Sequence, residues 1–349
     1  SDVCSSDLGW WFYWYFRVSG GAGETLRFQF SGRDPIGVRG PAVSVDDGIN
    51  WAWLGADDCA DSAFTYTFPS DSSAVRFAFT IPYLKSDWQR FLNICENPDK
   101  FVKDTLCTSS QGRNVELLRV GQLNGEPQHR VVITARHHAC ESMASFVLEG
   151  LLTAMLADND EGRWFQDHLE VLVVPFMDKD GVENGDQGKN RKPHDHNRDY
   201  GETSIHPETK ALKAKLNEWA GGKLHATLDL HCPWIRGNHN EEIYLVGSAD
   251  EAVWVQQQRF GAIPEEVNEG PLPYRVSSNL PFGQRWNTTA NWTSGKSSQQ
   301  WMRTIEGVHL ATTIEVPYAN VMGAEVTPES ARAFGVSLSK ALRIYLEKL

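Results

Sequence analysis

The chain has 349 residues, of which 33 are Lys or Arg and 45 Asp or Glu, giving a formal net charge of −12 with histidines neutral. That length suits roughly two domains of about 100–250 residues, and 41% hydrophobic with 22% charged residues excludes disorder for most of it. The acidic balance, with no local basic run, excludes sequence-blind nucleic-acid binding, and no stretch approaches the ~20 apolar residues of a membrane span.

Residues 1–8 carry neither a basic nor an apolar signal segment and read as a remnant of truncation, which leaves the compartment open: a cytoplasmic setting is the expectation, and a periplasmic or secreted one holds if a signal sequence lies upstream. From 9 to 105, short aromatic and β-branched runs (10–18, 25–30, 65–68, 74–81) are broken by Gly, Pro and Asp clusters. Phe28 and Phe30 alternate with Arg27 and Gln29, the period of antiparallel strands, so this part is expected to be a small β-sandwich. Its tryptophans (Trp10, Trp11, Trp14, Trp51, Trp53) are expected to pack in the core and on the sheet faces. A helix is expected over 86–94, then a polar connector that includes 97–100.

From 106 the pattern becomes strands (115–120, 130–134, 169–175, 226–230, 242–246, 310–316) alternating with helices (142–157, 207–220, 328–349). The run Val171, Leu172, Val173, Val174 lacks alternation, as strands buried on both faces do. The expectation is an α/β domain over 106–349 with a mixed, mostly parallel central sheet flanked by helices, preceded by the antiparallel sandwich. The six cysteines (Cys4, Cys59, Cys95, Cys107, Cys140, Cys232) show no CxxC spacing, so most are expected to be reduced.

In open α/β sheets, sites form at the carboxyl ends of strands, and four polar clusters fall there. The first strand ends in Arg136, His137, His138, Ala139, Cys140, Glu141; an H-x-x-E puts an imidazole and a carboxylate within reach of one ion, or serves as a helix-capping acid beside a satisfied histidine. His231 ends another strand, with Asp229 on the same face as a candidate orienter and Cys232 adjoining it. Two histidines and one glutamate leave a fourth tetrahedral position open, the arrangement of a catalytic zinc. After the strand exit at 175–184 come Arg191, His194, His196, Asn197 and Arg198: Arg and Asn suit a planar carboxylate, and the alternative is a loop of surface charges; His194 and His196 are potential metal ligands, although H-x-H loops are more often solvated. Glu315 stands among apolar residues near a strand end, where an acid is costly unless paired or catalytic, and it fits the acid that shuttles a proton in zinc-dependent hydrolysis.

The ordered set His138-x-x-Glu141, Asn197-Arg198, His231, Glu315 resembles the zinc metallocarboxypeptidase family, whose prototype is carboxypeptidase A. The likeness is to the cytosolic carboxypeptidase subgroup, bacterial members included, in which a β-sandwich precedes the catalytic domain; segments 11–18, 77–79 and 81–83 look like its signature. The resemblance implies a peptidase that removes the C-terminal residue of a peptide or protein tail, with one zinc ion per chain on His138, Glu141 and His231. It further implies Glu315 as general base, Asn197 and Arg198 on the substrate's C-terminal carboxylate, and Arg191 as the arginine that polarises the scissile carbonyl. His137 rivals His138, but the two-residue gap to Glu141 favours His138.

The family's mobile-loop tyrosine has no counterpart in the stretch Asn291 to Lys296; Tyr274 and Tyr318 lie on either side and the role is unassigned. The pocket for the last side chain is expected between Gly283 and Arg303, where Lys296 or Arg303, if buried rather than solvated, would select an acidic residue and Trp286, Trp292 and Trp301 an apolar one. Two other readings stand beside the peptidase. A zinc amidohydrolase of the aspartoacylase type, acting on a small N-acyl amino acid, is disfavoured by the N-terminal position of the extra β domain. A non-catalytic peptide- or glycan-binding module would be supported by loss of the base or a ligand, and neither is lost.

Overall fold

The computed structural model describes residues 11–71, 74–95, 98–292 and 295–349. The expectations for residues 1–8, Trp10, Asn97 and residues 293–294 lie outside the described residues. The N-terminal part forms two antiparallel sheets. One has the order β1 (Tyr15–Ser19), β7 (Ala74–Ala78), β3 (Ala42–Ser44), β4 (Ala52–Trp53); the other runs β2 (Thr25–Gln29), β6 (Ala63–Thr67), β5 (Cys59–Ala60). Alternation drives their packing: Phe16, Phe28, Phe64 and Phe77 point inward from the two sheets and meet at ring separations of 4.8 to 6.4 Å. Trp14 is buried against Phe64, as a core tryptophan should be.

Helix α1 (Lys85–Ile94) leads into the larger sheet. Its strands are β8 (Phe101–Thr108), β9 (Asn114–Gly121), β10 (His129–Ala135), β11 (Leu169–Val174), β12 (Leu224–His231), β13 (Tyr244–Val246) and β14 (Leu310–Glu315). They lie in the order β13-β14-β12-β10-β11-β9-β8. The four central strands are parallel, and antiparallel pairs close both edges. Strand β8 straddles the expected 105/106 boundary yet belongs wholly to this sheet. It escapes the period-2 reading because it is a largely exposed edge, with little apolar patterning to betray it.

Helices cover both faces, which is why β11 is buried at every position. One face packs Val131, Ile133, Val171 and Val173 under α2 (Met143–Leu156) and α8 (Pro328–Leu346). The other packs Val132, Leu172 and Val174 against Leu212 and Leu216 of α5 (Pro207–Trp219). Helices α3 (Asp160–His168), α4 (Lys179–Asn184), α6 (Glu251–Val267) and α7 (Ser298–Met302) were not expected from the sequence. Helix α2 is apolar nearly all round because α8 covers the side the sheet leaves free. The two helices touch backbone to backbone: a Cβ on Gly150 would lie 2.0 Å from the Arg332 carbonyl oxygen, and one on Gly335 2.1 Å from that of Val147.

No helix among the described residues is long and apolar enough to cross a membrane. The α2–α8 crossing yields a test: Gly150→Ala should force the helices apart and lower the melting temperature by roughly 3–10 °C. An unchanged midpoint in a thermal scan would contradict the close approach.

Candidate metal centre

The parallel register brings the strand-end residues together. In β12–β14, His231 lies beside Glu315; in β10–β12, Thr134 lies beside Asp229. Beyond β10 the chain turns sharply at Arg136, whose φ of 61° is unusual for a side chain of that size. Its buried guanidinium holds the turn by donating to the Ala139 carbonyl, to the Tyr83 carbonyl at 3.0 Å and to Ser145 Oγ at 3.1 Å. Ser142 Oγ donates to the Ile81 carbonyl at 2.6 Å, so the segment leaving the sandwich braces the same turn.

That turn delivers His138 and Glu141 to His231. Glu141 is fully buried, with Oε1 2.8 Å from His138 Nδ1 and Oε2 2.8 Å from His231 Nδ1. Burial alone would raise this carboxyl's pKa, but His138, Lys189 and His231 outweigh it and hold it well below the usual range. Atoms sharing a tetrahedral ion at ~2.0–2.1 Å stand roughly 3.3 Å apart, so three donors already gathered this closely fit a zinc ion.

Two further carboxylates face the histidines from behind. Asp229 Oδ2 lies 2.9 Å from His231 Nε2, and the group also takes His137 Nδ1 and Thr134 Oγ1 at 2.8 Å and a hydrogen bond from Ser298 Oγ. Despite burial, His137 and His231 hold Asp229 ionised far below the ordinary carboxyl range. Asp195 Oδ1 lies 3.6 Å from His138 Nε2, a charge contact longer than a hydrogen bond. Nothing in the local sequence marks Asp195 beyond its place between two histidines.

The rival donors have other duties. His137 spends both nitrogens, on Asp229 and on the Tyr200 hydroxyl at 2.7 Å. His194, Asp199 and His206 form a third donor cluster, yet the Asp199 oxygens already accept from His194 Nε2 and from the backbone of Ile205 and His206. His196 is buried and stacked on His206 at 3.8 Å, so the H-x-H loop is packed rather than solvated. Cys232 is buried and joins no donor cluster among the described residues.

A cavity of about 290 Å³ opens onto His138, His231 and Glu315. Glu315 is 6% exposed, its Oε2 has no hydrogen-bond partner, and burial pushes its pKa up against the pull of His231 and Lys189. Asn197 and Arg198 line the same cavity. Asn197 Nδ2 lies 3.2 Å from His231 Nε2, and Arg198 is steadied by Asn291 through its carbonyl at 3.2 Å and its Oδ1 at 2.9 Å. Arg191 is not among the lining residues; its guanidinium pairs with Asp178 at 2.8 Å and Asp186 at 3.3 Å. Lys189, which no sequence motif singles out, lines the cavity instead and reaches Glu141 Oε1 at 2.7 Å.

Phe282, Trp286 and Trp292 line the outer part of the cavity, whereas Trp301 packs on Tyr200 and Lys296 lies outside it. Arg303 reaches the wall but pairs with Asp250 at 2.9 Å. Tyr244, next to Glu315 in register, is the lining tyrosine among the described residues; Tyr274 bonds Asn279, and Tyr318 contacts Cys140. A larger groove of about 900 Å³ lies by Trp51, Tyr83 and Arg332, but it carries no histidine and none of the clustered donors.

A match to the family described as zinc carboxypeptidase covers residues 93–217. Human cytosolic carboxypeptidase 1 is 25% identical over 333 residues, spanning 80% of this chain and 27% of that protein. Human cytosolic carboxypeptidase 2 is 33% identical over 146 residues, 39% of this chain and 16% of that protein. The chain thus spans about a quarter of the first of these curated relatives, 27% of its length. Among solved structures, a metallo-carboxypeptidase from Burkholderia cenocepacia superposes with a TM-score of 0.77 at 20% identity, covering 96% of this chain and 89% of that one. One from Pseudomonas aeruginosa, in complex with (2-guanidinoethylmercapto)succinic acid, gives 0.77 at 20%, covering 98% and 91%. These likenesses establish the fold.

The carboxylate behind His231 can be tested. Asp229→Asn should weaken zinc binding about 10–100-fold in competition with a chromogenic chelator; unchanged affinity would mean that Asp229 does not orient the ligand.

Proposed function

From a chain that carries a zinc carboxypeptidase domain, has cytosolic carboxypeptidases as homologues and shares its fold with bacterial metallocarboxypeptidases, we propose a zinc-dependent carboxypeptidase that hydrolyses the last peptide bond of a peptide or protein tail. The observation that carries the proposal is Glu315: a buried carboxylate with an unpartnered oxygen, beside His231 in register, in the cavity that also holds Arg198.

In this reading His138, Glu141 and His231 hold one zinc ion. When bound, zinc acts as a Lewis acid that makes water easier to deprotonate and the peptide carbonyl easier to attack. Glu315 takes the proton of the attacking water and returns it to the leaving nitrogen. Arg198 and Asn197 grip the substrate's terminal carboxylate, which restricts cleavage to the last bond. Phe282, Trp286 and Trp292 shelter the final side chain and exclude water. With Arg303 paired to Asp250, the aromatic wall supports an apolar or aromatic last residue over an acidic one. A cytoplasmic setting belongs to the same proposal, supported by the relatives' names and by five described cysteines that are all free thiols.

Glu315→Gln should keep one zinc per chain while turnover falls roughly 10²–10⁴-fold; activity within a fewfold of the parent would assign the base elsewhere. Arg198→Ala should raise KM about 10–100-fold for free-carboxylate peptides. Equal cleavage of C-terminally amidated peptides by the parent would contradict the exopeptidase reading.

A further inference from the structure

A guanidinium grips a carboxylate best while its charge and two parallel N–H groups remain available. The arginines in and beside the cavity differ in this respect. Arg191 is paired with Asp178 and Asp186, and Arg303 with Asp250. Arg198 makes no ion pair among the described residues; its three hydrogen bonds go to neutral oxygens of Asn197 and Asn291. Asp195 feels the positive charge of Arg198, but its own ion contact is with His138.

Asn291 supplies two of those three partners. Arg198 Nε donates to its carbonyl at 3.2 Å and Nη2 to its Oδ1 at 2.9 Å, while Nη1 donates to the Asn197 carbonyl at 2.7 Å. A guanidinium carries five N–H groups, so one remains on Nη1 and one on Nη2, the end-on pair that meets both oxygens of a carboxylate. Asn291 thus occupies one edge of the fork and leaves the other to a ligand. Because its oxygens belong to amides, it orients Arg198 without neutralising it, which an aspartate in the same place could not do.

The chain around Asn291 fixes it in turn. It lies in the short helical turn Thr289–Trp292, where its N–H donates to the Thr288 carbonyl at 3.0 Å. The next residue, Trp292, stacks on Phe282 at 4.9 Å, so the aromatic wall of the cavity and the brace on Arg198 are neighbours in one segment. Gly295 N–H donates to the Trp292 carbonyl at 3.1 Å, and a Cβ on Gly295 would lie 2.0 Å from the Arg198 carbonyl oxygen. A little further on, Ser298 N–H donates to Asn197 Oδ1 at 2.9 Å. Resting on the peptidase reading, we propose that Asn291 is a positioning residue that holds Arg198 as an oriented, un-neutralised cation for the substrate's terminal carboxylate. It sets how tightly the C-terminus is held and takes no part in the chemistry at Glu315.

The test compares the zinc-loaded parent with Asn291→Ala, Asn291→Asp, Arg198→Ala and the double variant Asn291→Ala/Arg198→Ala. Steady-state kinetics are measured on an N-blocked peptide ending in a free-carboxylate Phe, with zinc content and melting temperature read on each protein. Asn291→Ala should raise KM about 5–50-fold and keep kcat within about threefold. Asn291→Asp keeps the size and the acceptor oxygen, so it reads out the charge even if the alanine variant disturbs the loop; it should raise KM at least as much, because it pairs with Arg198 as Asp250 does with Arg303. On the Arg198→Ala background, adding Asn291→Ala should change KM less than about twofold, as a residue acting only through Arg198 must. An Asn291→Asp variant with KM within threefold of the parent, a loss confined to kcat in Asn291→Ala, or an Asn291 effect that persists undiminished without Arg198 overturns the assignment and leaves the peptidase reading standing. A parent that trims nothing overturns the peptidase reading itself, which separates the two failures.

Discussion

A carboxylate with no exposure to water, wedged between two imidazoles and an ammonium, is the interaction on which the rest of the site depends. Glu141 cannot remain ionised at zero exposure without His138, His231 and Lys189 around it. Those partners come from three separate places in the chain: the turn after β10, the end of β12 and the loop before Asn197. Bringing them together requires a rigid frame, and the parallel β10–β12–β14 register provides it. A one-residue slip of β14 would turn Glu315 away from His231, so both faces of the sheet must be buried in fixed register.

The N-terminal layer is tied into this frame by hydrogen bonds as well as by apolar packing. Ile81 and Tyr83 offer carbonyls to Ser142 and Arg136, and Phe12 and Tyr13 offer N–H groups to Gln187. Tyr83 also donates to Glu149 at 2.7 Å, and Glu149 pairs with Arg332 on α8 at 2.7 Å. The sandwich therefore braces the turn and loop that carry His138, Glu141 and Lys189. A strained residue such as Arg136 persists only because its guanidinium is held by contacts on both layers.

What was legible in the sequence follows from how local its cause is. Uninterrupted apolar runs such as Val171 to Val174 announce strands buried on both faces, and His138, Glu141, His231 and Glu315 announce themselves as polar residues at the ends of such runs. Strand β8 was illegible because an exposed edge needs no apolar period, and β3, β4 and β5 because two or three residues are too few to show one. Lys189 and Asp195 were missed for a different reason. Their significance comes entirely from long-range contacts with Glu141 and His138, and their only local mark is a glycine before the lysine and two flanking histidines on the aspartate. Arg191 looked suitable by residue type, and the structure places its charge against Asp178 and Asp186.

The central claim is that strand ends and one braced turn assemble a single zinc site on His138, Glu141 and His231. Anomalous diffraction at the zinc absorption edge, from crystals of the zinc-loaded protein, tests it most directly. The account predicts one strong peak within ~2.0–2.2 Å of donor atoms of those three residues, with Glu315 nearby and unbound. A peak at His137 and Asp229, at the His194–Asp199–His206 cluster, or no peak at all would contradict it.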